Sequence, residues 1–223
     1  MYFYRQAEGM NSEPTVFVVD ADGAIRDAVR TLVHTMNLQC EGYASGREFL
    51  EEYGPDRAGC LVLEIRIPDI NGVQIQERLA AEEASLPIIF LTNQATVSIA
   101  VRAMRCGAVH VIEKPFREHE LWDAIQEAIE LDRSQRESAR HRQALQERME
   151  QLSEKERELL KLVAEGKAKE AMAEELGVCV RTVELRRTQL MRKLEFTAPI
   201  ELIHFALAAS DGHAHQDRDA YCS

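Results

Sequence analysis

VFVVDADGAIRDAVRTLV, residues 16–33, decides how the N-terminal half of this chain folds. Four consecutive apolar residues, Val16–Val19, run into Asp20, Ala21 and Asp22. Ile25, Val29, Leu32, Val33 and Met36 then recur at helical spacing. A short run that is apolar throughout suits a strand covered on both faces, as in a parallel sheet. A helix that follows such a strand at once is the first half of a βαβ unit. Cys60–Leu63, Ile88–Leu91 and Val109–Ile112 repeat the apolar run, and Gln39–Tyr43 is a weaker strand candidate. Val97, Val101 and Met104 share helical spacing, and Ser45 followed by Glu48 reads as a capping box that opens another helix. The fold class of residues 14–130 is therefore α/β, a doubly wound five-stranded parallel sheet.

Beyond it the pattern changes. Leu121 to Leu152 contains no Gly or Pro. Leu121, Ile125 and Ala128 form one apolar face, Leu145, Met149 and Leu152 another, and Asp132 to Gln143 between them is polar. One long helix with packed ends and a solvated middle accounts for this, with 131–150 as a helical linker. A charged, disordered connection between two shorter helices is the alternative. From 151 to 209 the spacing is helical only, giving an all-α four-helix domain. Ser153 and Glu156 form a capping box, Gly166 stops the first helix and Gly177 the second. A third helix spans Arg181–Leu194, and a last one follows Pro199. Residues 1–13 and the polar tail 210–223 are expected to be disordered.

The net charge of −11 argues against a protein that coats nucleic acid indiscriminately, but leaves room for one basic helix. The five cysteines are scattered without a CxxC pair, which fits a reducing cytoplasm and gives no metal site. No apolar run approaches the roughly 18 residues of a membrane span. P-loop, GxGxxG and HExxH motifs are missing, so no enzymatic role is expected.

Arg181, Arg186, Arg187, Arg192 and Lys193 lie opposite the apolar stripe Val183, Leu190 and Leu194. A helix that is basic on one side and apolar on the other, after a short helix and a glycine turn, suits insertion into a DNA major groove. An ordinary charged surface helix has the same charge pattern. The order of elements decides further: LSEKERELLKLVAEGKAKEAMAEELGVCVRTVELRRTQLMRKL, residues 152–194, resembles the LuxR-type helix-turn-helix of FixJ/NarL response regulators. The resemblance implies a recognition helix from about Arg181. Arg181, Thr182, Glu184, Arg186, Arg187 and Lys193 become candidate DNA contacts, with Thr182 and Glu184 equally open to structural roles. Cys179 stands where the family has Ser or Thr, and is a poor cap.

VFVVDADGAIRDAVRTLV, CLVLEIRIPDINGV (60–73), IIFLT (88–92) and GAVHVIEKPF (107–116) resemble, in order, the receiver domain of response regulators. The resemblance implies a phosphorylation pocket at Asp20, Ala21, Asp22, Glu64, Thr92 and Lys114. Asp20, Thr92 and Lys114 keep the family's residue types. Ala21 replaces a metal-binding acid, Glu64 replaces the phosphoryl-accepting Asp, and Val111 replaces a switching aromatic. The extra methylene of Glu64 takes its oxygens out of line, where about 1 Å can cost 100-fold. Mg²⁺ binding is therefore expected to be weak or absent. Three readings of Glu64 stay open: a partial mimic of the phosphorylated state paired with Lys114, a degenerate pocket in a dimerisation scaffold, or phosphorylation moved to Asp22 or Asp69. None predicts a strong response to a sensor histidine kinase. The expected function is a sequence-specific transcription regulator acting on double-stranded DNA as a receiver-mediated homodimer, with RNA polymerase a further candidate partner. The alternatives are a protein-interaction or dimerisation module with vestigial DNA binding, or a regulator phosphorylated at a non-standard residue.

Overall fold

The computed structural model describes residues 13–216 apart from 83, 85 and 94, with side chains described as far as residue 210. The chain divides into two compact units, Met1–Glu137 and Ser138–Ser223.

In the first unit, β1 (Thr15–Val19), β2 (Gln39–Tyr43), β3 (Gly59–Leu63), β4 (Ile88–Thr92) and β5 (His110–Glu113) form one parallel sheet in the order β2-β1-β3-β4-β5. The connecting helices are α1 (Gly23–Thr35), α2 (Gly46–Glu52), α3 (Gly72–Ala81) and α4 (Val97–Arg105). All five expected strands form, each within a residue of its predicted limits.

The side-chain period of two divides the core into two layers. Val16, Val18, Cys60, Val62, Ile89 and Leu91 face α1 and the start of α5 (Glu118–Glu150), meeting Val29, Val33, Leu121 and Ile125. Phe17, Val19, Leu61, Leu63, Ile88 and Phe90 face the other way, onto Phe49 of α2, Ile75 and Leu79 of α3, and Ala103 of α4. β1, β3 and β4 are buried at every position, which is why they read as unbroken apolar runs.

Local chemistry sets the helix starts. Asp22 caps α1, its carboxylate accepting the Ala24 N–H at 2.9 Å. At α2 the Ser45 hydroxyl accepts the Glu48 N–H, but Glu48 accepts from Ala44 rather than from Ser45, so the expected box is only half made. Asp69 supplies what is missing, accepting the Ser45 hydroxyl at 2.8 Å and the Arg47 N–H at 2.9 Å. On α4, Val97, Val101 and Met104 are exposed, and Ala103 is the buried residue, so the apolar spacing there marks an outer surface.

α5 is one unbroken helix, the first of the two readings of that stretch. Its middle departs from the expected solvated face at Asp132, which is 2% exposed, and at the partly buried Arg136. The second unit packs α6 (Glu154–Ala164), α7 (Lys169–Glu175), α8 (Val180–Lys193) and α9 (Pro199–Gln216) around Leu159, Val163, Met172, Val183, Leu190, Leu202 and Phe205. Leu145 and Met149 of α5 join this core. The backbone of α9 stays helical to Gln216, where disorder is expected from residue 210. Residues 1–12 and 217–223 lie outside the described residues.

Gly59 is the tightest point of the sheet. Its φ is +144°, and a Cβ there would lie 1.8 Å from the Thr15 carbonyl oxygen. Strain and overlap act together, so Gly59→Ala is expected to lower stability by roughly 3 kcal/mol, measured as the shift in urea midpoint.

Candidate functional site

Four strand ends assemble the first site. Asp20 follows β1, Glu64 follows β3, Thr92 closes β4 and Lys114 follows β5. Backbone hydrogen bonding continues one residue past the strands: Asp20 N–H donates to Tyr43, Glu64 N–H to Val19 and Lys114 N–H to Thr92, at 2.9–3.1 Å. Each functional side chain is thereby registered to its neighbouring strand rather than to a flexible loop.

The Lys114 ammonium donates to Asp20 at 2.5 Å and to Glu64 at 2.7 Å, and all three side chains are less than one-tenth exposed. The second Glu64 oxygen accepts the Arg66 N–H at 3.2 Å, and Thr92 hydrogen-bonds to the same carboxylate. Asp20 also accepts the Asp22 N–H at 2.9 Å. Burial pushes the Glu64 carboxyl up, but hydrogen bonds from Lys114, Thr92 and Arg66 outweigh it and hold the group below its ordinary 4.5. Burial pulls the Lys114 ammonium down, and its bonds to Asp20 and Glu64 carry it above 10.5.

Of the sequence-predicted pocket residues, Asp20, Glu64, Thr92 and Lys114 come together. Ala21 is exposed and brings no side-chain oxygen. Asp22 and Asp69 are both engaged at helix starts, as caps of α1 and α2, so neither is a free acceptor beside Lys114. Val111 pairs with Phe90 across β4–β5 and is half-buried against the second core layer.

The second site is α8. The turn before it is built by Gly177, whose φ of +62° lets the Val178 N–H reach back to the Ala173 carbonyl at 2.9 Å and close α7. Cys179 is the N-cap residue without a side-chain cap bond to the backbone; its sulfur instead meets the Thr182 hydroxyl at 3.1 Å. Val183 and Leu190 bury one stripe. Arg181 is exposed, and Arg186 and Arg187 are half-buried. Glu184 is bound by Lys169 of α7 at 2.5 Å, and Lys193 by Glu156 of α6 at 2.8 Å. Glu156 at the same time accepts the Ser153 N–H at 2.8 Å, the expected capping contact. These two residues tie α8 to its neighbours. Leu185, which is 57% exposed on α8, is not among the sequence-predicted contacts. An apolar residue on the outer face of a basic helix was the signal.

A pocket at the carboxyl ends of a parallel sheet and a helix-turn-helix behind it define a class, and sequence comparison agrees with both halves. Residues 16–126 match the response regulator receiver domain, and 150–206 the bacterial regulatory proteins of the luxR family. The chain is similar to Nodulation protein W of Bradyrhizobium diazoefficiens, with 36% identity over 208 residues and 92% of each chain covered. It is 33% identical to the response regulator protein TmoT of Ectopseudomonas mendocina, covering 86% of this chain and 88% of that one. The response regulator StyR superposes with a TM-score of 0.78 at 34% identity, covering 86% of this chain and 98% of that one. The chain belongs to the response regulators with a receiver domain and a LuxR-type DNA-binding domain, and is a transcription regulator of that type.

The pocket gives a signed pH dependence. Glu64 is held below its ordinary value, so its contribution is full above about 4.5 and is lost as pH falls through the folded value. Lys114 is held above 10.5, so its contribution is full below that and is lost as pH rises through the folded value. Urea midpoints are expected to fall on the acid side, with a shallower fall in Glu64→Gln. Lys114→Met leaves two buried carboxylates without a cation. It is expected to cost about 3–5 kcal/mol at pH 7 and to regain stability on acidification, the opposite sign to wild type.

Proposed function

We propose that this regulator binds its DNA sites without phosphorylation, with Glu64 standing at the phosphoryl-acceptor position and its carboxylate held by Lys114 in place of a phosphoryl group. The 2.7 Å Lys114–Glu64 contact carries this reading. A carboxylate has less charge than a phosphoryl group, so the imitation is partial. The pocket does not fit Mg²⁺: the two carboxylates already share the Lys114 charge, and Ala21 adds no oxygen. Among the described residues no group of three His, Cys, Asp or Glu side chains gathers to hold a metal. Mg²⁺ therefore binds weakly or not at all, no enzymatic activity is assigned, and the reading requires no sensor histidine kinase.

On α8, Arg181, Thr182, Arg186 and Arg187 face DNA, with Leu185 between them able to pack against a thymine methyl. Glu184 and Lys193 act chiefly as ties to α7 and α6. A cytoplasmic homodimer through the receiver, using a face that includes the exposed Val97, Val101 and Met104 of α4, presents two DNA-binding units to two half-sites. RNA polymerase is the partner that reads their occupancy. No helix among the described residues is long and apolar enough to cross a membrane.

Genome-wide DNA capture with the untreated protein tests the reading, beside Glu64→Gln and Glu64→Asp. A shared palindromic sequence is expected from wild type and its loss from Glu64→Gln. Equal capture by all three makes the pocket a scaffold, and no defined sequence from any of them favours an interaction module. Acetyl phosphate with Mg²⁺ is expected to leave the wild-type mass unchanged.

Arg186→Ala or Arg187→Ala is expected to weaken binding to the captured DNA on every sequence and reduce the slope of log K against log[salt] by about one. Leu185→Ala is expected to leave that slope unchanged while relaxing sequence preference, measured by competition between the captured site and its single-base variants.

A further inference from the structure

Between Ile129 and Leu145, every residue of α5 except Asp132 and Arg136 is exposed. No apolar packing holds this stretch. Its i,i+4 contacts, such as Arg133 with Glu137 at 3.2 Å, are exposed and weak. A solvated helix of that length is marginal by itself. Asp132 and Arg136 are the exception: two hydrogen bonds join them to each other and four join them to the receiver. Asp132 accepts the Gly59 N–H at 2.9 Å. Arg136 Nε donates to both Asp132 oxygens, at 2.8 and 2.9 Å. The guanidinium then donates to the carbonyls of Pro55, Asp56 and Arg57, at 3.2, 3.2 and 2.6 Å. These carbonyls belong to the loop that enters β3. Gly59 opens β3 and Glu64 follows its last residue, so this cluster and the pocket hold opposite ends of one strand.

We infer that Asp132 and Arg136 are positioning residues that clamp the linker helix to the receiver, carrying the receiver's rigid body two turns past its apolar core and fixing the direction in which α5 leaves it. The freely moving part of the linker then begins near Ser138. A planar guanidinium suits the role, because one side chain serves a carboxylate on one edge and three carbonyls on the other. Lysine has the charge without the fork. The consequence for DNA binding rests on the function proposed above; the mechanical part does not.

Amide hydrogen exchange on the full-length chain, read by mass spectrometry, tests the clamp in Asp132→Asn and Arg136→Lys. Exchange over 133–144 is expected to rise at least about tenfold in both, with β1 and β4 as protected as in wild type. Wild-type exchange over 133–144 in Arg136→Lys, the milder variant, overturns the inference. So does a rise that spreads equally over β1 and β4, which makes the cluster a general stabiliser. With DNA that wild type captures, Asp132→Asn is expected to bind about fivefold more weakly at an unchanged salt slope, since no phosphate contact is removed. Unchanged affinity overturns the coupling to DNA. Failure of wild type to capture any DNA counts against the regulator reading, and the exchange result then decides the clamp.

Discussion

An ammonium group that is one-twentieth exposed must be neutralised where it stands, and Lys114 meets that requirement with two carboxylates at once. The desolvation of three ionised groups is offset only if each is held at bonding distance from rigid supports. The parallel sheet provides them, because the side chains issue from the ends of β1, β3 and β5 and their backbones stay in the ladder. A helix-borne or loop-borne version would lose the geometry to thermal motion. The order β2-β1-β3-β4-β5 brings the ends of β1, β3 and β4 side by side at the centre, with β5 delivering the lysine from the edge. Placement of the strands and composition of the pocket are thus one problem. A wrong register would flip every core residue to the other layer as well as misplace a charge.

The same logic explains what Glu64 does to a receiver. Its oxygens bond to Lys114, Thr92 and the Arg66 N–H, which are cationic and neutral donors able to satisfy an anion without covalent chemistry. Asp22 and Asp69 instead accept hydrogen bonds at the N-termini of α1 and α2, which need an acceptor.

Much of this was legible in the sequence, for identifiable reasons. β1, β3 and β4 are covered on both faces, so burial removes polar residues from them and leaves runs such as Val16–Val19. β2 lies at the edge and exposes Gln39 and Gly42, so Gln39–Tyr43 gave a weaker signal. The pocket residues were legible through the resemblance to receivers, since their contacts join residues as far apart as Asp20 and Lys114, and no local pattern records such a pairing. On α4 the spacing of Val97, Val101 and Met104 foretold a helix but not that these residues are exposed; periodicity finds an apolar stripe but not what covers it. α3 was not singled out at all, although Asn71 and Gln74 reciprocally cap it. Asp132 was hidden most completely. An Asp and an Arg four residues apart in a polar helix look like a surface pair, and only the tertiary approach of Gly59 turns them into a buried one.

The two units solve the charge problem in opposite ways, and this bears on how one can govern the other. In the receiver the charges that matter are buried and paired, so their arrangement changes only in discrete steps, when a bond is made or lost. On α8 the arginines stay near the surface, and the phosphate contacts proposed for them would vary smoothly with salt. Salt screens exposed charges over about 8 Å at physiological ionic strength, but it does not screen a covalent connection. α5 is the covalent route between the units, a single helix from Glu118 to Glu150, and it touches an apolar core only near its two ends. A rod so weakly held through its middle transmits direction only as well as its fixed end is fixed. The clamp inferred above therefore gives two polar residues, Asp132 and Arg136, more weight in fixing that direction than the exposed charges around them.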